Sequence, residues 1–169
     1  MLLIRTSPSF QPEKTYACRV LLGELLGLSF RMEFQDGLEH YQLVLPNGNQ
    51  VLVEDHFFGK QPSEDYLNPA NIPQQILTSE DPFQPGGKIS AIYGRDFLQL
   101  DGPGFRCGVD LFASAFFMLT RWEEYVLPDR DAYGRFPAGA ALSVRSGMID
   151  RPVVNEYAGL LKNLLLRAG

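Results

Sequence analysis

The stretch Asp110–Tyr125, which reads DLFASAFFMLTRWEEY, decides the fold of this chain. Asp110 is a good helix N-cap, because its carboxylate can accept hydrogen bonds from the unpaired N–H groups of the next turn. Nearly every residue from Leu111 to Leu119 is apolar, so on a helix these side chains cover almost the whole circumference. Such a helix has to be buried on most sides, and it is shorter than the roughly 20 apolar residues that span a bilayer. We therefore predict a largely buried central helix at about 110–125.

Two further helices are expected, one on each side of the central one along the chain. Residues 12–26 carry apolar side chains at helical spacing, with Pro12 in the first turn and Gly27 as the stop signal. On that helix the pattern assigns Lys14 to the solvent side. Residues 153–166 form the other helix, because their apolar residues recur every three or four positions.

The remaining segments alternate apolar and polar residues or are rich in turn residues. The alternation predicts β-strands, since successive side chains of a strand face opposite sides. The predicted strands are Leu2–Thr6, Phe30–Phe34, Tyr41–Leu45, Val51–Val53, Lys88–Tyr93 and Phe97–Leu100. The segment 59–88 is rich in Pro, Asn, Gln and Gly and is predicted as a long loop with one helical turn at Ile72–Leu77. Residues 1–169 are thus predicted to form a single α/β domain, with a mixed β-sheet, flanking helices and the buried central helix.

Size and charge narrow the range of functions. The chain has 169 residues, of which 45% are hydrophobic, and this suffices for one domain with a substantial core. Its net charge of -5 and the lack of a run of Lys and Arg argue against binding of nucleic acid. The apolar run at the N-terminus is too short for a signal peptide, so we expect a cytoplasmic protein that does not enter a membrane. Cys18 and Cys107 are expected to be buried thiols rather than a disulfide.

The end of the central helix gathers charged and aromatic side chains and is the first candidate site. One interpretation is a structural network of ion pairs that ties the later loop and the last helix to the central helix. Its members would be Asp110, Arg121, Glu124, Asp131, Arg135, Arg151 and Glu156. The other interpretation is a sugar or anion site, in which aromatic rings stack on the ligand and charged groups bind it. Its binding residues would be Arg121, Trp122, Glu123, Glu124 and Arg135.

One segment after the central helix begins like a calcium-binding loop. The run from Asp129 to Phe136 has acids at the first and third positions and a glycine at the sixth. Position 12 is Ala140, where such a loop needs a bidentate Glu. The pattern therefore favours a turn centred on Gly134 that presents Arg135.

The two histidines give a weak metal signal. His40 and His56 have no acidic or thiol ligands at zinc spacing. The order Glu54, Asp55, Lys60 is faintly similar to metal-dependent nucleases, but the acidic chain without a basic patch argues against that class. We therefore predict no metal site, no cofactor and no catalytic residues in this chain.

Three blocks in the second half of the chain resemble a known group of domains. The blocks are FASAFFMLTRWEEY, DAYGRF and RPVVNEYAGLL, and together they span about residues 105–160. They resemble the N-terminal domain of uncharacterised function that precedes the catalytic domain in Bacteroidetes polysaccharide-deacetylase-like proteins. The resemblance implies a C-terminal domain of the sugar-deacetylase type beyond residue 169, whose metal is held by one Asp and two His. This chain has none of that ligand pattern.

The resemblance also implies what the domain does. It would be a non-catalytic accessory domain that scaffolds its own C-terminal catalytic domain in cis or shapes the substrate groove of that domain. The parent protein would then be a carbohydrate deacetylase-type hydrolase, with carbohydrate as the ligand. Two alternatives stay open. One is a small sugar- or anion-binding module or enzyme with its site at the helix end, and the other is a protein-interaction or dimerisation module.

Overall fold

The computed structural model describes residues 1–61, 65–101 and 104–169. Within these ranges the chain forms eight strands and five α-helices, numbered here in chain order. The strands are β1 (Leu2–Thr6), β2 (Phe30–Phe34), β3 (His40–Val44), β4 (Gln50–Glu54), β5 (Leu77–Glu80), β6 (Lys88–Ala91), β7 (Gly94–Asp101) and β8 (Gly104–Val109). The helices are α1 (Gln11–Cys18), α2 (Leu111–Thr120), α3 (Glu123–Val126), α4 (Leu142–Arg145) and α5 (Val153–Ala168).

Six of these strands form one mixed sheet in the order β2-β1-β3-β4-β8-β7. β1 is parallel to β2, and β4 is parallel to β8, whereas the other neighbours are antiparallel. It follows that β1, β2, β4 and β8 all run in the same direction and end at one edge of the sheet. β5 and β6 pair separately as a two-stranded sheet. The predicted α/β class with a mixed sheet and flanking helices is confirmed.

The core lies between the sheet and a layer of helices. α2 packs against α1 and α5, and α5 also packs on β4 and β8. Strand residues such as Ile4, Leu43 and Val51 are fully buried. Neighbouring residues that point the other way, such as Arg5 and Gln42, keep part of their surface exposed. The alternation in the sequence therefore corresponds to one buried and one solvent-facing side of the sheet.

The central helix is buried as predicted, but it is shorter than 110–125. All residues from Leu111 to Phe117 are buried, and each buried Leu or Phe contributes about 1.5–3 kcal/mol relative to an exposed one. Asp110 caps the helix, since its side chain accepts the Ala113 N–H at 3.0 Å. The helix ends at Arg121, which adopts a left-handed conformation with φ of 49°. A separate short helix, α3, then contains the remaining part of the predicted helix.

The first predicted helix begins where expected but changes type. α1 passes directly into a π-helical segment, Arg19–Leu25. Gly27 follows with a φ of 64°, which suits its predicted role as the stop. The last helix, α5, agrees with the prediction of 153–166 and extends it by two residues.

The segment 59–88 contains more regular structure than a long loop. A 3-10 turn lies at Pro69–Asn71, and not at Ile72–Leu77 as predicted, because Asn68 caps it by accepting the Ala70 N–H. β5 begins at the end of the predicted turn and pairs with β6. Residues 62–64 of the predicted loop lie outside the described ranges.

β8 has no counterpart among the predicted strands, although it pairs with a neighbour on each side, β4 and β7. Glycines at both ends of the strand hide its alternating pattern. Gly104 is required there, because a Cβ at this position would overlap the Gln50 carbonyl of β4. This strand matters for the site, since it brings Arg106 and Asp110 next to the end of β4.

Candidate functional site

Three buried polar side chains lie where the parallel strands end. Thr6 is the last residue of β1, Asp55 follows β4, and Asp110 follows β8. All three are almost completely inaccessible to solvent. Because these strands run in the same direction, the fold brings their carboxyl ends to one edge, which is where open α/β sheets bind their ligands.

Lys14 of α1 joins the buried polar groups at this edge. Its Nζ is 2.5 Å from Asp55 Oδ2, and both side chains are fully buried. The same Nζ donates to Ser7 Oγ at 2.6 Å, with Thr6 and Ser9 also in reach. The prediction that Lys14 faces solvent is wrong. Helical spacing could not show that a carboxylate 41 residues away would compensate a buried ammonium group.

The short contact between Lys14 and Ser7 has the geometry of a Ser–Lys nucleophile pair, but the charges do not suit one. A lysine that is ion-paired as an ammonium has no lone pair with which to accept the hydroxyl proton. Asp55 Oδ1 instead accepts the backbone N–H of Gly59 at 2.9 Å. A Cβ at Gly59 would lie 2.9 Å from the Asp55 carboxyl carbon, so this close approach requires glycine. The cluster therefore anchors the loop that follows β4.

Asp110 fixes the same loop from the other side. Its Oδ2 accepts the Phe57 N–H at 2.9 Å, while Oδ1 accepts the Ala113 N–H at 3.0 Å. Burial and the nearby Asp55 raise the pKa of Asp110 to about 7, although backbone N–H donors oppose the shift. Asp110 thus connects the start of α2 to the loop after β4.

An open pocket of about 480 Å³ lies against this anchored loop. The residues that line it are Leu38, Glu39, His40, Glu54, Asp55, His56, Gly59, Lys60, Arg95, Arg106 and Gly108. Its basic side chains come from β3, from the loop after β4, from β7 and from β8. We refer to it as the basic pocket. Asp55 is already neutralised by Lys14, so Glu39 and Glu54 are the acids in this lining that oppose the basic groups.

Arg106 is held in place at one side of the basic pocket. Its Nη2 donates to His40 Nε2 at 2.8 Å and to Glu54 Oε1 at 3.3 Å. His40 Nδ1 lies 2.6 Å from the Glu39 carbonyl, so Nδ1 carries the proton and Nε2 is the acceptor. Among the described residues these contacts engage only Nη2, and the other guanidinium nitrogens of Arg106 have capacity for a ligand.

His56 and Lys60 form another wall of the basic pocket. Lys60 Nζ is 3.1 Å from His56 Nδ1. Burial lowers the pKa of His56, and the nearby charges of Lys60 and Arg95 lower it further. The imidazole is therefore neutral near pH 7, and Lys60 supplies the positive charge of this wall.

The predicted site at the end of the central helix looks different. Trp122 and Glu123 are buried, and both carboxylate oxygens of Glu123 accept the Leu142 N–H, at 3.2 and 3.0 Å. Arg121 pairs with its neighbour Glu124 on the surface. Arg135, the fifth predicted binding residue, pairs with Asp131 in its own turn. That these five residues bind a ligand stays a prediction.

The predicted polar network divides into local pairs in the described part of the chain. The pairs are Arg121 with Glu124, Arg135 with Asp131 at 2.9 Å, and Arg151 with Glu156 at 2.5 Å. Arg151 reaches beyond its own segment, since its Nη1 donates to Ser90 Oγ of β6 at 3.0 Å. Asp110 caps α2 and takes no part in these pairs. The helix end is instead tied to the segment at Leu142, because the Glu123 carboxylate accepts the Leu142 N–H.

The calcium-like segment is a turn, as the sequence favoured. Asp131 Oδ1 accepts the N–H groups of Tyr133 and Arg135, at 2.8 and 2.9 Å, and Gly134 has a φ of 74°. In the described ranges no three His, Cys, Asp or Glu side chains are grouped so that they could hold a metal ion. Both cysteines are buried free thiols, and burial raises the pKa of Cys107 to about 12.

Five residues of the basic pocket, namely His40, Glu54, Asp55, His56 and Lys60, enter the sequence analysis, and only as a possible metal site. The useful signal is the run Glu54-Asp55-His56, which begins at the last residue of β4. A polar run at the end of a parallel strand marks the ligand-binding edge of an α/β sheet. The contributions of Arg95 and Arg106 could not be found in this way, because the register of β7 and β8 brings them there.

A comparison with models of protein families identifies the family of this chain. The family described as "Family of unknown function (DUF7033)" matches residues 2–169. The chain belongs to the DUF7033 family. Neither the curated proteins nor the solved structures gave a match. Among the described residues of this DUF7033 domain, no helix is both long and apolar enough to cross a membrane.

Proposed function

We propose that this DUF7033 domain is a non-catalytic binding module that takes an anionic ligand in the basic pocket. One observation carries the proposal: cationic side chains from three separate parts of the fold converge on one open cavity. They are Lys60, Arg95 and Arg106. A ligand that bridged them would gain charge-assisted hydrogen bonds, which are worth about 1.5–3 kcal/mol each.

The charge of the buried neighbours supports an anion rather than a cation. Asp55 would otherwise attract a cation, but its partner Lys14 cancels its charge at 2.5 Å. Glu54 is engaged by Arg106 at 3.3 Å. Lys60 and Arg95 add two exposed positive charges to the described lining, against one further acid, Glu39.

The lining of the basic pocket supports binding rather than catalysis. Its described residues include no Ser, Thr or Cys that a neighbouring base could activate as a nucleophile. His40 Nε2 already accepts from Arg106, and His56 Nδ1 lies against Lys60. Both histidines therefore position cations.

The finer part of the proposal follows from the resemblance to domains of polysaccharide-deacetylase-like proteins. In it the module works in the cytoplasm beside a C-terminal deacetylase-type domain of a carbohydrate-active hydrolase, and its ligand is an acidic sugar. The two free thiols are in keeping with a reducing compartment. The sequence of the gene beyond residue 169 tests this part, since the absence there of an Asp and two His in a deacetylase-type arrangement would contradict it.

The binding site itself is tested by calorimetric titration with glucuronate, a sugar carboxylate, with glucose as the neutral control. We expect saturable binding of glucuronate and at least about tenfold weaker binding of glucose, which cannot make the charge-assisted contacts. Arg106→Gln should weaken glucuronate binding at least about tenfold, because it removes a charge-assisted hydrogen bond. Lys60→Gln and Arg95→Gln should act in the same direction.

Arg19→Gln is the matched control, because Arg19 is exposed and pairs with Glu24 away from the basic pocket. This variant should bind glucuronate like the unmodified protein. Equal losses in the Arg19 and Arg106 variants would show only a general charge effect and contradict a defined site. Absence of saturable binding by the unmodified protein would also overturn the proposal.

A further inference from the structure

A second pocket shares a wall with the basic pocket. It has a volume of about 390 Å³. His56 and Lys60 line both cavities, so the two pockets lie on either side of this one pair. The remaining lining residues of the second pocket are Phe57, Gln61, Ala70, Asn71, Ile72, Pro73, Ile92, Tyr93 and Gly94.

The second pocket differs from the first in chemistry. Apart from the shared pair, all of its described lining side chains are uncharged. Gln61 and Asn71 provide amide groups, while Ile72 and Pro73 provide apolar surface. A cavity of this kind suits a neutral ring that carries hydroxyl groups on its edges and C–H groups on its faces.

The walls of the second pocket are held in fixed positions. Tyr93 Oη donates to the Asn71 carbonyl at 3.0 Å, and Asn71 Nδ2 donates to the Tyr66 carbonyl at 3.0 Å. The Tyr93 ring stacks on Phe57 with the centroids 4.2 Å apart. Phe57 in turn gives its N–H to Asp110 at 2.9 Å, so the anchor beneath the first pocket also supports the second.

We propose that the ligand has two parts: an anionic group in the basic pocket and a neutral, hydroxyl-bearing ring in the second pocket. The ligand crosses the His56–Lys60 pair, and Lys60 contacts the anion at the point where the two parts join. Exposed Lys60 can turn toward either cavity without breaking a buried contact. This inference rests on the proposed function, and it adds the chemical class of the ligand.

The test compares two probes: glucuronate alone, and a disaccharide in which glucuronate is linked to a neutral hexose. Binding of each is measured by calorimetry. We expect the disaccharide to bind the unmodified protein at least tenfold more tightly than glucuronate. Ala70→Trp should abolish this gain, because Ala70 is an exposed residue of the second pocket and an indole there would take up space that the neutral ring needs.

The Kd for glucuronate should be the same in the Ala70→Trp variant and in the unmodified protein, which also shows that the variant is folded. Ala132→Trp, on an exposed turn outside both pockets, should change neither Kd. If both probes bind with equal affinity, or if Ala70→Trp leaves the gain intact, the two-part ligand is wrong while the basic pocket stands. If neither probe binds, the proposed function fails as well.

Discussion

The end of α2 and the end of β4 both gather charged side chains, but the two regions pair them in opposite ways. At the end of α2 an arginine pairs with a carboxylate three residues away, as Arg121 does with Glu124. At the end of β4 the Lys14–Asp55 pair joins residues 41 positions apart, and Arg106 of β8 reaches His40 of β3. The first kind of pair joins residues within one short segment. The second kind forms only when the sheet is assembled and α1, which carries Lys14, is packed on it.

This difference separates a stabilised surface from a binding site. A local exposed pair satisfies its own charges and contributes little free energy, about 0–1 kcal/mol. The long-range pair of Lys14 and Asp55 instead fixes the loop after β4, which carries Lys60. Together with Arg95 and Arg106, Lys60 lines one cavity. The comparison therefore predicts large effects of substitution at the end of β4 and small ones at the exposed ion pairs near the end of α2.

The largest expected effect is that of Lys14→Met. It leaves the Asp55 carboxylate buried without a counter-charge, so the free energy of unfolding should fall by about 3–5 kcal/mol. Lys162→Met, on the exposed face of α5, should change it by less than about 0.5 kcal/mol. Urea unfolding followed by circular dichroism measures both. If the Lys14 variant is as stable as the Lys162 variant, the buried ion pair does not hold this edge together.

A double variant refines that test. Asp55→Asn in the Lys14→Met background removes the uncompensated charge, so it should recover part of the lost stability. A further loss of the same size would instead mean that the two side chains act independently. That outcome would contradict the buried pair.

The next effect compares two adjacent glutamates at the end of α2. Glu123→Ala leaves the buried Leu142 N–H without an acceptor, which should cost about 1–3 kcal/mol of unfolding free energy. Glu124→Ala removes a surface ion pair with Arg121 and should cost less than about 1 kcal/mol. Thermal or urea unfolding of the two variants measures the difference. Equal costs would show that the Glu123 contact does not fix the following loop.

The free energy of unfolding should also depend on pH, through Asp110. Burial and Asp55 raise the pKa of Asp110 to about 7, so the folded state holds a proton that the unfolded chain releases near its ordinary pKa. This contribution to stability is fully present below the unfolded-state pKa and is lost as pH rises through about 7. Asp110→Asn keeps a residue that can cap α2. This variant should lack the part of the pH dependence of unfolding that comes from Asp110.

The measurement is the free energy of unfolding of the two proteins between about pH 4 and pH 8. The difference between them should change steadily across that range, with the unmodified protein losing more as pH rises. A difference that does not depend on pH would contradict the raised pKa of Asp110.

The smallest effect is expected for Arg135→Gln. Arg135 is exposed and pairs with Asp131 in its own turn, at 2.9 Å. Removal of its charge should change neither the stability nor the binding of glucuronate. Asp131 Oδ1 still accepts the backbone N–H groups of residues 133 and 135, and these contacts hold the turn. A loss of glucuronate affinity in this variant would instead favour the predicted site at the end of the central helix.

Much of the fold could be predicted, because most of its elements depend on local patterns. The apolar run from Leu111 to Phe117, the alternation in β1 and the spacing in α5 each identify an element without knowledge of the rest. β8 could not be found in this way, because its glycines interrupt the alternating pattern. Gly104 is needed for a contact between distant segments, the close approach of β4. The break at Arg121 was also hidden, because no glycine or proline marks it.

Most of the candidate site could not be predicted, for a related reason. Its charged residues are brought together by strand order and register, and these depend on contacts between distant segments. Lys14 is the clearest case, because a helical pattern with a charged residue among apolar ones predicts a solvent-exposed side chain. Only the end of β4 reveals the buried partner, Asp55.

The most direct test of the basic pocket is a nuclear magnetic resonance titration of isotope-labelled protein with glucuronate. We expect the largest backbone shift changes at residues 54–60, 95 and 106, with a single saturating dissociation constant. Residues 121–135 should show no saturable change. Saturating shifts confined to residues 121–135, or no saturable shifts at the end of β4, would contradict a binding site there.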